Sequence, residues 1–263
     1  MIPAGEGDGW AAGYAEPYLA CVRAAARDPG AFSEFKRDPR YRAILEHVSE
    51  EQGGEYLDIV RKESPSLLAK FDQFRQNDLL GGAITCLYPG VGPVSPSTLR
   101  YVKVASDLRN LFGARIGGNV AEVGVGYGGQ LLIADKVLSF GRYDLFDLPS
   151  VLELASRYLG SHALACEYRA VALAEHAGDV DYELAISNYA FSELPARLQL
   201  VYIAKVLARS KRGYLTMNSG RPGSAFTDDK LTLEDLARRL PKFDVLAERP
   251  LTHPGNYVVV WGA

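Results

Sequence analysis

Along residues 14–112 the apolar positions recur at helical spacing and are broken by Pro and Gly rather than by strand-like alternation. Asp28-Pro29-Gly30 closes a first helical segment and Asp38-Pro39 stops a short second one; further helices are expected near 55–62 and 66–76. No strand pattern interrupts this half. After the loop Gly90-Val91-Gly92-Pro93-Val94, Ser95 reads as an N-cap with Pro96 at the first helical position. Leu99, Val102, Ala105, Leu108 and Phe112 then recur on one face until Gly113 stops the helix.

From Asn119 the period changes. Asn119–Val123 reads as a strand, followed by a Gly-rich turn, a helix to about Ser139 and a second strand at Arg142–Phe146, which is a βαβ opening. Pro149 starts a helix that Gly160 ends, and Glu167–Val171 is a weak third strand. Glu183–Ser187 is a fourth strand, followed by a helix from Pro195 that runs to the cations Arg209, Lys211 and Arg212 before Gly213. Tyr214–Met217 is a fifth strand. Thr232-x-x-Asp235 is a capping-box pattern for a last helix that Pro241 terminates, and Phe243–Arg249 and Tyr257–Trp261 close the chain as two strands in tandem. Strands and helices alternating up to the fifth strand, then two strands with no full helix between them, predict an α/β fold. Its sheet has seven mainly parallel strands and a terminal antiparallel hairpin. The expected division is a helical cap over 1–94 and a Rossmann-like domain over 95–263.

Composition narrows the class. The 263 residues carry 29 Lys+Arg against 32 Asp+Glu, for a net charge of −3, and the apolar fraction of 48% is that of a globular protein. Disorder and a disulfide scaffold are excluded. No sustained basic run offers a nucleic acid its phosphate contacts, so none is expected as a partner. Cys21, Cys86 and Cys166 are widely spaced with no C-x-x-C pair, which fits a reducing, cytoplasmic setting. Met1–Gly9 has no basic flank before an apolar stretch, and no apolar run approaches the roughly 20 residues a membrane span needs. Neither export nor a membrane is expected.

The chemistry gathers at Val120-Ala121-Glu122-Val123-Gly124-Val125-Gly126-Tyr127-Gly128-Gly129. A strand running into glycines and then a helix lets backbone approach a ligand closely. Asp147 lies 19 residues beyond Gly128 at the end of the second strand, where a carboxylate can accept from ribose hydroxyls or cap the following helix. Two cofactors compete. Gly124, Gly126 and Gly129 fit the dinucleotide spacing, whereas Glu122-x-Gly124-x-Gly126-x-Gly128 fits the acidic pattern of S-adenosylmethionine sites. A carboxylate at 122 would repel pyrophosphate and attract a cationic amino group and sulfonium, so S-adenosylmethionine is favoured.

Four stretches together resemble the bacterial sugar O-methyltransferase family: Ser95-Pro96-Ser97-Thr98-Leu99-Arg100-Tyr101, the Glu122–Gly129 loop, Phe146-Asp147-Leu148-Pro149, and Ser187-Asn188-Tyr189-Ala190-Phe191-Ser192-Glu193-Leu194. The resemblance covers about Phe35 to Gly262. It implies a Rossmann-like class I methyltransferase core under a helical N-terminal cap, with S-adenosylmethionine as methyl donor. Leu80-Gly81-Gly82-Ala83 after Gln76-Asn77-Asp78 departs from the family pattern, which has Gly-Asn-Pro there.

Methyl transfer to an alcohol needs sulfur, methyl carbon and acceptor oxygen in line, with removal of a hydroxyl proton. Positioning can contribute about 7 to 11 kcal/mol and a general base about 10²- to 10⁴-fold in rate. Ligands of open α/β sheets bind outside the carboxyl ends of the strands. The expected cofactor set is therefore Glu122, Gly124, Gly126, Tyr127, Gly128, Asp147, Leu148 on the adenine, and Asn188. Arg100 joins it, either on the cofactor carboxylate or on the helix surface. Glu193 is the first candidate base, or else favours the positive start of the helix at Pro195; His253, between the last two strands, is the second. Gln73, Asn77, Asp78, Tyr189, Asn218 and Arg221 are expected acceptor contacts. His47 reads as a lid or helix-surface residue, and nothing favours His162 or His176. Asp228-Asp229 reads as solvated charge ahead of the helix at Thr232, so no metal is expected. The expected acceptor is a sugar or a sugar-bearing small molecule, and apolar surface on the N-terminal helices offers a homodimer contact. Two rivals stay open: an NAD-dependent oxidoreductase and a cofactor-binding protein without turnover.

Overall fold

A computed structural model of the chain describes residues 16–263; the reading of Met1–Gly9 and the first fifteen residues of the expected cap lie outside the described residues. In chain order the elements are α1 (Glu16–Arg27), α2 (Pro29–Glu34), α3 (Pro39–Arg42), α4 (Glu50–Glu63), α5 (Phe71–Phe74), β1 (Cys86–Tyr88), β2 (Gly92–Val94), α6 (Pro96–Phe112), β3 (Val120–Val123) and α7 (Gly129–Val137). There follow β4 (Arg142–Phe146), α8 (Pro149–Leu159), β5 (Glu167–Val171), β6 (Tyr182–Asn188), α9 (Ala190–Glu193), α10 (Ala196–Lys205), β7 (Ser210–Met217), α11 (Leu233–Ala237), β8 (Asp244–Ala247) and β9 (Tyr257–Trp261).

Contacts divide the chain into two compact units that interleave along it. Among the described residues the helical unit comprises 16–114, Val125–Leu138 and Leu148–Ala165; the sheet unit comprises Arg115–Gly124, Ser139–Asp147 and Cys166–Ala263. The grouping does not follow the 94/95 division, because α6, α7 and α8 go with the N-terminal helices.

The sheet unit carries seven strands in the order β5-β4-β3-β6-β7-β9-β8. β3 pairs parallel with β4 and β6, β4 with β5, and β6 with β7; β9 then inserts antiparallel between β7 and β8. This is the expected Rossmann-like sheet, in which the strand order reverses at β3 and the last strand runs against the rest. Strand alternation sends Ala121, Val123, Phe146, Ala185 and Leu215 to one face, where Phe191, Tyr202, Ile203, Leu236 and Trp261 complete a core. Glu122 and Tyr143, at the intervening positions, face the other way and meet each other. At Gly213 the ring of Trp261 occupies the space a Cβ would need, 2.0 Å from its ideal position. That close approach is why the strand carries glycine there.

In the helical unit α4 and α7 pack on α6, and α1 on α8. Ser95 caps α6 by accepting from the Ser97 N–H at 3.3 Å, with Pro96 leading the helix as the sequence predicts. Four local expectations change. The stretch expected to lack strands holds the β1–β2 hairpin, whose three-residue strands are too short to write an alternation. The helix expected over 66–76 is a succession of 3-10 turns at Pro65–Lys70 and Arg75–Asp78 around the single turn of α5. The helix from Pro195 ends at Lys205, and Ser210 already begins β7. Lys211 and Arg212 are therefore strand residues rather than cations at a helix end. Likewise α11 stops at Ala237, before Pro241.

Candidate functional site

In the sheet unit the strand order reverses between β3 and β6, and their carboxyl ends meet. Gly124, at φ +80°, donates its N–H to the Phe146 carbonyl at 2.8 Å, and a Cβ there would stand 1.9 Å from that of Ala190. Glycine is thus demanded by the left-handed turn and by Ala190 pressed against it. Asp147 follows β4 half-buried, and the N-cap of α8 is Leu148, so Asp147 does not cap that helix.

Glu122 is 2 % exposed and accepts from the Tyr143 hydroxyl at 2.8 Å. Burial pushes its carboxyl up to about 8, against the Tyr143 hydrogen bond and with Asp147 adding to the rise. At neutral pH Glu122 is therefore mostly protonated, and its charge no longer separates a dinucleotide from a sulfonium cofactor. That sequence argument is corrected by burial.

The segment after β6 is locked to the end of β7. Tyr189 sits at φ +68°, a left-handed conformation that a bulky side chain adopts only when its surroundings impose it. Its N–H donates to the Thr216 carbonyl at 2.9 Å, and its hydroxyl donates to Glu248 and lies 3.2 Å from Thr252 Oγ1. Asn188 stands half-buried beside it, its Oδ1 3.4 Å from Thr216 Oγ1. Ser192 donates to Asn218 Oδ1 at 2.5 Å, and Asn218 Nδ2 donates to Glu193 Oε1 at 2.7 Å. The Glu193 side chain is exposed and aimed by that amide. Arg221 is exposed, its guanidinium 4.9 Å from the Tyr257 ring centroid. His253 is exposed in the β8–β9 loop, and its Nδ1 accepts from the Gly255 N–H at 3.3 Å.

The helical unit holds the other expected residues. Gly126 lies against Leu45, with 2.8 Å between Leu45 Cδ1 and the place of a Cβ, and Gly128, at φ +90°, is the N-cap of α7. Tyr127 is buried. Lys36, 1 % exposed, puts its ammonium 4.2 Å from the Tyr127 ring and 4.7 Å from that of Tyr158, and donates to the Asn77 carbonyl at 2.5 Å. Desolvation pulls this lysine down to about 8 against the pull of Glu46 and Asp78.

Asn77, read from the sequence as an acceptor contact, is sealed inside this knot. Its Nδ2 donates to Thr98 Oγ1 at 2.7 Å and Tyr127 Oη at 2.9 Å, and its Oδ1 lies 3.0 Å from the donating Tyr158 hydroxyl. Asp78 accepts from the Ser95 N–H at 2.8 Å and from Thr98 Oγ1 at 2.6 Å, which ties down the start of α6. Gln73 is exposed. Arg100 is buried and stacks near Tyr101, with 5.4 Å from guanidinium to ring centroid, rather than lying on the helix surface. His47 belongs to a loop, not a helix, where burial and Arg100 pull its imidazole down. His162 stacks on Tyr158 in this unit, and His176 on Phe146 in the sheet unit.

Sequence reasoning missed Lys36, Glu46 and Glu248. Each is buried by residues distant in the chain, and no local spacing marks them. Among the described residues no group of three or more His, Cys, Asp or Glu is placed to hold a metal, and no helix is long and apolar enough to cross a membrane.

No family model and no curated protein matches the chain. Among solved structures it is similar to the N-terminal domain of EvdMO1 with SAH bound, at 13% identity over 74% of this chain and 94% of that one, TM-score 0.46. It is similar to a 16S rRNA methyltransferase of T. thermophilus in complex with AdoMet and guanosine, at 16% identity over 68% and 49% of the two chains, TM-score 0.46. It is also similar to an S-adenosylmethionine-dependent methyltransferase from Clostridium acetobutylicum, at 10% identity over 61% and 88%, TM-score 0.45. At such distance the fold stands on the sheet order itself, a Rossmann-like sheet with β9 inserted antiparallel beside β7.

Proposed function

We propose that the protein is an S-adenosylmethionine-dependent O-methyltransferase acting on a hydroxyl of a sugar or a sugar-bearing small molecule. The observation that carries this reading is the antiparallel β9 between β7 and β8, in a sheet whose order reverses where the Gly124 turn follows β3 and Asp147 follows β4. A dinucleotide-binding sheet continues in parallel instead. The sugar follows from the sequence resemblance, and the overall charge of −3 argues against a nucleic-acid acceptor.

S-adenosylmethionine supplies the electrophilic methyl group when bound. For this chain's own residues, Asp147 is suited to accept from the two ribose hydroxyls, and Leu148, half-buried, to cover the adenine. Glu193, aimed by Asn218, is suited to take the acceptor's hydroxyl proton on a carboxylate oxygen. Asn218 and Arg221 stand after β7 and offer hydrogen-bond donors to a polyol, and Tyr189, after β6, offers its hydroxyl oxygen as an acceptor. His253, exposed at its loop, is the second candidate base.

The test is transfer of labelled methyl from S-adenosylmethionine to a panel of methyl glycosides and glycosylated metabolites, with RNA as a parallel substrate. Label in a glycoside hydroxyl supports the reading. Label in RNA alone, or in no substrate while NAD is bound, overturns it.

A further inference from the structure

Lys36 is a buried cation of the helical unit that the reading above leaves without a task. Its ammonium lies 4.2 Å from the centroid of the Tyr127 ring and 4.7 Å from that of Tyr158, and it donates to the Asn77 carbonyl at 2.5 Å and the Tyr158 hydroxyl at 3.3 Å. Taking an ammonium out of water is costly, and here two π faces, a carbonyl and a hydroxyl offset the loss. All these partners lead to Tyr127. Asn77 Nδ2 donates to its hydroxyl at 2.9 Å, and the Tyr158 ring meets its ring edge-on at 4.8 Å between centroids.

Tyr127 stands between two glycines of left-handed backbone, Gly126 at φ +53° and Gly128 at φ +90°. Glycine gives a turn access to many shapes, so a side chain anchored between two of them selects the shape that is kept. The Tyr127 ring is such an anchor. Besides Tyr158, the rings of Phe35 and Tyr101 meet it at 5.7 Å and 6.1 Å between centroids, and only 1 % of the residue is exposed. The ring therefore holds the turn from behind and leaves the glycine backbone to face a ligand.

We propose that Lys36 is a positioning residue for the cofactor turn: through the Tyr127 ring, its ammonium holds the Gly126–Gly128 backbone in the shape that receives S-adenosylmethionine. This rests on the S-adenosylmethionine reading. It gives the N-terminal helices a part in cofactor binding, where the sequence pointed only to acceptor contacts. The charge is what acts, and desolvation brings it within reach of titration, at about 8. The groups that face Lys36 are the acids Glu46 and Asp78, the His162 imidazole and the two tyrosines. Burial holds both phenols well above their usual range and pulls His162 below its own.

The experiment is calorimetric titration of the full chain at about pH 7 and about pH 9.5 with 5′-methylthioadenosine, which lacks the titrating amino-acid tail of S-adenosylhomocysteine. Lys36→Met keeps the length of the side chain and removes its charge. It should bind about tenfold more weakly than wild type at pH 7, the loss of a desolvated cation over an aromatic face. At pH 9.5, where wild type has itself given up the proton, the two should agree within about twofold. Glu122 titrates over the same range in both proteins and cancels in the comparison. An equal gap at both pH values would reduce Lys36 to packing, and no gap at pH 7 would leave it idle; either overturns the proposal. Tyr127→Leu keeps the ammonium and takes away its π face, so it should also bind about tenfold more weakly at pH 7, with a gap that narrows at pH 9.5. Adding Lys36→Met to it should cost no more than about twofold further, and a second tenfold loss would mean that Lys36 does not act through Tyr127. Wild type binding neither 5′-methylthioadenosine nor S-adenosylhomocysteine at pH 7 means that the cofactor reading itself has failed, and the positioning role with it.

Discussion

At the scale of single residues, burial decides what the charges do. Glu122 holds a proton in the folded chain up to about pH 8 that the unfolded chain releases near its ordinary 4.5. Between those values the folded state binds more protons, so this group's contribution to stability is full below 4.5 and is lost as pH rises through 8. Glu122→Gln should therefore melt close to wild type at pH 5 and higher than wild type at pH 9, the gap reaching on the order of a few kcal/mol. Thermal melts at the two pH values check this, and an equal gap at both would contradict it. Asp147→Ala should weaken S-adenosylhomocysteine by about tenfold to a hundredfold, the loss of hydrogen bonds to a charged acceptor, with the far-UV circular dichroism unchanged. Glu193→Gln should lower kcat by about 10²- to 10⁴-fold on any acceptor that is turned over while cofactor affinity holds. A parallel loss of affinity would instead make Glu193 a binding residue.

Among the elements, those legible in the sequence are the ones fixed by local chemistry. Thr232 and Asp235 make both halves of the predicted capping box, Asp235 N–H to Thr232 Oγ1 and Thr232 N–H to Asp235 Oδ2, each at 3.1 Å. Thr232→Ala should cost about 1 kcal/mol, or roughly 2 to 4 °C in Tm, read by differential scanning calorimetry. β4 and β5 run over the predicted residues because alternation and bounding turns are written in a few neighbouring positions. The end of α10 was illegible for the opposite reason. Lys211 and Arg212 suit a helix terminus as well as a strand, and pairing of Arg212 with Leu184 on β6 decides the matter from a distance. The left-handed Tyr189 was equally hidden, since its conformation is imposed by Thr216, Glu248 and Thr252 from other elements.

For the whole molecule, the sheet was readable and the grouping of its helices was not. The alternation from Asn119 onward predicts seven strands with an antiparallel close, and the sheet has them in that arrangement. That α6, α7 and α8 form one compact unit with the N-terminal helices depends on packing between segments far apart in the chain, which no spacing encodes. Calorimetric titration of the purified protein with S-adenosylhomocysteine and, separately, NAD tests whether S-adenosylmethionine is the cofactor: binding of the first on the order of micromolar and none of the second is expected. Binding of NAD alone, or of neither, would contradict it.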